Sequence, residues 1–118
     1  MKKRWLLAPM TSLLLSGAAW PQDVNSANFI VDNVCKAESD LSCIAWIMGA
    51  LNGFLTQALI SHSPLAYCQP NGVTFGQQRE IFLKYLRDNP EHLHENAAGL
   101  LYYSQIAAFP CPQPRKDK

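Results

Sequence analysis

Almost nothing in this chain of 118 residues carries a catalytic signature. It has no Gly-x-Ser-x-Gly elbow, no His-Glu-x-x-His pair and no phosphate-cradling glycine loop, so serine hydrolysis, zincin-type hydrolysis and nucleotide chemistry have no local motif. It has no Cys-x2-Cys knuckle, and its four cysteines are widely spaced, which argues against a zinc site. Charge is sparse, at 16% of residues, with ten basic side chains against nine acidic ones; no basic patch is available for nucleic acid. The carboxylates are scattered, and no apolar pocket is evident that would push one pKa away from another. Internal repeats and low-complexity tracts are absent. Beyond the N-terminus, no segment reads as apolar for long enough to form a membrane span. No cofactor is implied.

What is present begins with an export signal. Lys2, Lys3 and Arg4 form a basic start, Trp5 to Leu15 an apolar run, and Gly17-Ala18-Ala19 the small residues that a signal peptidase reads. The run is too short to cross a bilayer. An N-terminal anchor left uncut is the competing reading. No cysteine follows the expected cut, which argues against a lipoprotein. Cleavage after Ala19 removes three of the ten basic residues and leaves seven against nine acidic ones. Residues 20–118 are then expected to form one slightly acidic exported domain.

All four cysteines fall in that exported part. An even count in a short exported chain implies disulfides, since the compartment oxidises thiols and a core of this size is small. Cys35 and Cys43 flank a short polar turn, whereas Cys43 and Cys68 fall near opposite ends of one expected helix. Pairing of Cys35 with Cys43 and of Cys68 with Cys111 is therefore favoured among the three possible schemes. The stretch from Cys68 to Cys111 is the organising unit. It contains two helical patterns separated by Asp88-Asn89-Pro90-Glu91, and an antiparallel helix pair brings its two thiols together. Closing that loop is worth roughly 4 kcal/mol in the chain-entropy model.

The periodicity predicts an all-α bundle of about four helices. The first, about ten residues long, is capped by Asn25 or Ser26 and buries Phe29, Ile30 and Val34. Ser39-Asp40 caps the second and longest, whose apolar positions Leu41, Ile44, Met48, Leu51, Phe54, Leu55 and Leu59 are read as the core stripe. Gly49 and Gly53 each cost about 1 kcal/mol against Ala in a helix, which suggests close approach of a neighbouring helix. Pro64, Pro70 and Asn71-Gly72 then mark a long loop. Thr74 with Gln77 forms a capping box for the third helix, which buries Phe75, Phe82, Tyr85 and Leu86 and turns Glu80, Lys84 and Asp88 to solvent. Asn89 caps the last helix, with Pro90 at its first position and Glu91 favoured by the helix dipole. Leu93, Ala97, Leu100, Leu101 and Ala108 continue its apolar face. The polar tail Pro112 to Lys118 is read as frayed.

No catalytic residue and no metal ligand emerges. His92 and His94, two residues apart on a helix, point in nearly opposite directions and cannot grip one ion. His62 could activate a thiolate, but oxidised cysteines leave no nucleophile. Partner binding is the remaining use of the surface. Loops of the length seen after the second helix are often functional. The expected contact residues are Ser61, His62, Leu65 and Tyr67, with Glu91, His92 and Glu95 at the exposed start of the last helix. Leu65 and Tyr67 are side chains that a loop cannot easily bury, and the polar groups suit an interface rim. Of Tyr102 and Tyr103, adjacent on a helix, at most one is expected in the core, and the other is a second candidate contact.

The ordered motifs Cys43-Ile-Ala-Trp46-Ile-Met-Gly49, Cys68-Gln-Pro70-Asn-Gly72-Val73-Thr74-Phe-Gly76-Gln77, Tyr85-Leu86-Arg-Asp-Asn-Pro90-Glu91-His-Leu93-His94, Ala97-Ala98 and Phe109-Pro110-Cys111 resemble the Tai/Rap family. Members of that family are small periplasmic immunity proteins against peptidoglycan amidases delivered by type VI secretion. The resemblance covers roughly Cys35 to Cys111. It implies an all-helical disulfide-bonded fold, often a homodimer, which binds a cognate amidase effector and blocks its active-site cleft without performing a reaction. Two departures stand out. Trp46 replaces a usual Tyr, and Ser104-Gln105 replaces an Ala-Leu pair, a change expected to bear on the dimer face or the range of partners. Two rival functions compete: a periplasmic acid-stress chaperone, for which protection of unrelated clients at acid pH would speak, and a structural subunit of an envelope assembly.

Overall fold

A computed structural model describes residues 23–37 and 41–114. The expected signal peptide and the Ser39-Asp40 cap lie outside the described residues, as do the last four residues of the tail. Four α-helices and no strand occur among those described, in the order α1 (Ala27–Phe29), α2 (Leu41–Ser61), α3 (Phe75–Asp88) and α4 (Ala97–Ala108). The all-α disulfide-bonded bundle read from the sequence is the observed fold.

Ser26, not Asn25, caps α1: its Oγ accepts from Phe29 N–H at 3.2 Å and donates to the Asp23 carbonyl at 2.7 Å. After one turn the helix widens into a π-turn over Ile30–Val34, closed by Cys35 N–H donating to the Ile30 carbonyl at 2.8 Å. Cys35 is thereby carried to Cys43, and the two form the first disulfide. Arg79 of α3 donates through Nη2 to the Ala37 carbonyl at 2.8 Å, fastening this turn to the bundle.

The buried side of α2 coincides with the stripe the periodicity favours only at Leu51 and Phe54. Cys43, Ile47 and Leu51 are its buried residues, with Trp46, Ala50 and Phe54 packed beside them. Leu41 and Leu59 are 78% and 67% exposed, and Met48 and Leu55 also face outward. Apolar residues surround the whole circumference, so a pattern search finds two plausible stripes, and the disulfide at Cys43 selects which one turns inward. With 21 residues and no charged side chain, α2 is also long and apolar enough to cross a membrane, contrary to the expectation that no later segment is. Gly49 and Gly53 meet nothing: a Cβ at either would have no neighbouring atom within 4 Å. The close helix approach that they were expected to allow does not occur among the described residues.

On α3 the Thr74–Gln77 capping box is present in both directions. Phe82 and Leu86 are buried and Tyr85 packs against the core, but Phe75 is 40% exposed, and the polar Gln78 and Arg79 are buried. Phe82 stacks on Trp46 with ring centroids 5.7 Å apart, which locks α3 to α2. Lys84 pairs with Asp88 on the solvated side, while Glu80 turns to Arg79.

The last helix begins later than expected. Asn89 makes no capping bond; its amide donates to the Tyr85 carbonyl at 2.8 Å, and Pro90–His92 forms only a 3-10 turn. The chain then breaks because its backbone is claimed by the N-terminal segment. Asn28 N–H donates to the Leu93 carbonyl, Ala27 N–H to the Glu95 carbonyl and Ala97 N–H to the Asn25 carbonyl, at 2.9, 3.0 and 2.7 Å. Asn96 caps α4 instead, its side chain accepting from Gly99 N–H at 3.0 Å. Ala97, Leu100 and Leu101 complete the core. Ser104 and Gln105 are buried as well, so the departure from the Ala-Leu pair lies in the interior and not on an outer face.

Candidate functional site: a braced loop after α2

The helix α2 stops at a left-handed residue. His62 has φ 53°, and around it His62 N–H donates to the Leu59 carbonyl and Ser63 N–H to the Ala58 carbonyl. This is the Schellman end, in which the left-handed position is normally glycine because a Cβ there is unfavourable. A histidine held in that conformation is the kind of strain that clusters at functional positions.

Beyond His62 the loop is braced from below. Tyr102 of α4 accepts from Ala66 N–H through its hydroxyl at 3.0 Å. Tyr67 is buried, 8% exposed, with its ring edge-on to Tyr102 at 5.6 Å, and Tyr102 is edge-on to Phe54 of α2 at 5.0 Å. Burial pushes the Tyr67 phenol pKa up, and the neighbouring Tyr102 phenol adds to the rise. A short bridge pairs Tyr67 with Pro110, Cys68 N–H donates to the Phe109 carbonyl at 2.8 Å, and the Cys68–Cys111 disulfide closes the unit. The loop is therefore fixed at both ends, and Tyr67 is its floor, contrary to the argument that a loop could not bury it.

The crest of this loop consists of Ser61, His62, Ser63 and Pro64, all exposed, with Leu65 half-buried. It stands between two shallow clefts. One, of about 200 Å³, lies between Phe54, Leu65 and Tyr102. The other, of about 620 Å³, lies between Leu55, Leu59, His62 and Leu65 and is mainly apolar. Ser61, His62 and Leu65 are thus gathered at one place, an apolar recess with a polar lip.

Glu91, His92 and Glu95 are gathered too, but elsewhere. His92 Nδ1 donates to Glu95 Oε1 at 2.6 Å, and its Nε2 lies 3.7 Å from Glu91 Oε1. The hydrogen bond to Glu95 is the main reason that the His92 pKa rises above its usual value, and the two carboxylate charges reinforce it against a desolvation effect of opposite sign. This cluster precedes the N-terminal end of α4, whereas the loop leans on Tyr102 in the middle of that helix and on Phe109 and Pro110 beyond its C-terminal end. Tyr103, 56% exposed, is the outward member of the tyrosine pair. The sequence reading missed the brace at Tyr102 and the left-handed turn at His62; neither leaves a signal in residue type alone.

Among the described residues no group of three or more His, Cys, Asp and Glu side chains could hold a metal ion, and all four cysteines are bonded. Comparison with known families matches residues 27–111 to the Rap1a immunity proteins. Comparisons with curated proteins and with solved structures return no match.

Proposed function

The chain belongs to the Rap1a immunity protein family, which implies protection against a secreted effector, and from that premise we propose that it binds a type VI secreted peptidoglycan amidase in the periplasm and occludes its active-site cleft. The protein acts by steric fit and carries out no reaction. The observation that carries this reading is the family match over nearly all the described residues. The two disulfides and the expected export signal fit an extracytoplasmic site of action. The domain uses α2 as a core helix and not as a membrane span, a reading supported by the Cys43 disulfide and by the packing of Ile47 and Leu51.

The crest Ser61–Leu65 is the element that enters the cleft. Its residues Ser61 to Pro64 are exposed, and it is braced by Tyr102 and the Cys68–Cys111 disulfide, so little conformational freedom is lost on binding. Glu91, His92 and Glu95 form a second contact patch at the other end of α4. A homodimer belongs to this reading, as the family resemblance implies.

The test is co-expression of the exported form with a periplasm-directed candidate amidase, scoring lysis, together with affinity measured on the purified pair. His62→Gly separates fold from function: it relieves the left-handed strain and removes the side chain. Stability is expected to rise while affinity falls by about tenfold or more. Leu65→Ala is expected to weaken binding with both disulfides intact. Unchanged affinity in both variants would remove the crest from the interface, and lysis despite full expression with every candidate amidase would sink the amidase reading.

A further inference from the structure

One side of α3 carries Arg79, Leu83, Leu86 and Arg87, spaced so that two apolar side chains lie between two guanidinium groups on the same face. Across from that face, Val31 and Lys36 from the turn that leads into the first disulfide, and Leu93 from the segment before α4, complete an open cavity of about 330 Å³. Its lining contains three cations and no carboxylate. Arg79 is the unusual member. It is only 5% exposed, yet its charge is incompletely met: Nη2 donates to the Ala37 carbonyl, Nη1 pairs with the largely solvated Glu80, and Nε has no partner among the described residues. A buried donor left without an acceptor carries a desolvation cost that a bound acceptor removes. Lys36 and Arg87 are exposed and make no ion pair among the described residues.

We propose that this cavity binds a small amphiphilic anion, a monocarboxylate with an aliphatic chain, whose carboxylate is held by the Arg79, Lys36 and Arg87 cations and whose chain covers Val31, Leu83, Leu86 and Leu93. Three features select that ligand. The lining is positive without a compensating acid, and a carboxylate forms charge-assisted hydrogen bonds with such groups. The walls are aliphatic, so a bare inorganic anion would leave four apolar side chains facing water. Size is the third: a cavity of about 150 Å³ admits benzene, so one of about twice that volume holds about a dozen non-hydrogen atoms, enough for octanoate. The bound chain would join the N-terminal turn to α3 where Arg79 already fastens the two. None of the lining residues belongs to the crest Ser61–Leu65 or to the Glu91, His92 and Glu95 patch.

The exported full chain is titrated with octanoate by isothermal calorimetry, with 1-octanol as the uncharged probe and inorganic phosphate as the anion without a chain. Octanoate is expected to bind once per chain with a Kd of about 1 mM or below, and to raise Tm. Octanol and phosphate should each bind at least about tenfold more weakly. Lys36→Gln/Arg87→Gln alters two exposed positions, so the helical circular dichroism and both disulfides should persist while the octanoate Kd rises by about tenfold. Arg79→Lys keeps the charge but removes the Nε donor and should also weaken binding; if that variant does not fold, the exposed pair still decides. No saturable octanoate binding up to about 10 mM, equal affinity for octanol or phosphate, or an affinity indifferent to Lys36→Gln/Arg87→Gln would each overturn the proposal. None of these measurements involves an amidase, so this inference and the immunity reading fail separately.

Discussion

Gln105 gives the sharpest test of the packing. It is fully buried on α4; its Nε2 donates to Ser104 Oγ at 3.3 Å, and its Oε1 has no partner. An acceptor buried without a donor costs about 1–3 kcal/mol, while a long neutral hydrogen bond returns about 0.5–1 kcal/mol. Leucine has nearly the same volume and no polar atoms. Ser104 does not suffer from the exchange, because its hydroxyl still donates to the Leu101 carbonyl at 2.7 Å. Gln105→Leu should therefore stabilise the domain by about 1 kcal/mol and raise Tm by roughly 4–8 °C. Thermal unfolding by circular dichroism under non-reducing conditions reads this directly, and urea unfolding should show a higher midpoint with an unchanged slope. Gln105→Glu is the matching control. A carboxylate in that site has its pKa raised by desolvation, so the variant should lose stability as pH rises above about 4.3 and recover it toward acid. A fall in Tm for the leucine variant would refute the reasoning and mean that the amide oxygen is satisfied, for example by an enclosed water.

The two disulfides should differ in weight, because one joins residues 43 apart and the other residues 8 apart. Replacing Cys68 and Cys111 with Ala is expected to cost roughly 4 kcal/mol against roughly 2.5 for Cys35 and Cys43 in the chain-entropy account, and equal or reversed losses in urea would contradict it. His92 should titrate by NMR above its ordinary value of about 6.5, and Glu95→Gln should bring it down. Since the folded-state pKa is the higher one, the small stabilisation from this pair is complete below about pH 6.5 and fades as pH rises through the folded midpoint. A midpoint unmoved by Glu95→Gln would rule out the hydrogen bond as its cause.

The parts of the fold that were legible in the sequence are those set by short-range chemistry. The Thr74–Gln77 capping box requires only two residue types three positions apart, and it forms as read. Both disulfide pairings follow from which helix ends can meet. Misplaced features each depended on a distant strand of chain. Asn89-Pro90-Glu91 is a sound helix start by local rules, yet the N-terminal segment takes the carbonyls of Leu93 and Glu95 and delays α4 to Asn96. The candidate site divides in the same way. The exposed serines and His62 were visible as a polar loop, but Tyr67 is buried by a partner, Tyr102, that lies 35 positions further along.

The reading of α2 failed for a more informative reason. Its apolar residues were assigned to the core because soluble helices normally hide one stripe, and the better-spaced stripe was chosen. Leu51 and Phe54 of that stripe do turn to the core, whereas Leu41, Met48, Leu55 and Leu59 face outward. The inward face is shifted toward Cys43 and Ile47 because the Cys35–Cys43 disulfide fixes the rotation of the helix, a constraint that periodicity does not contain.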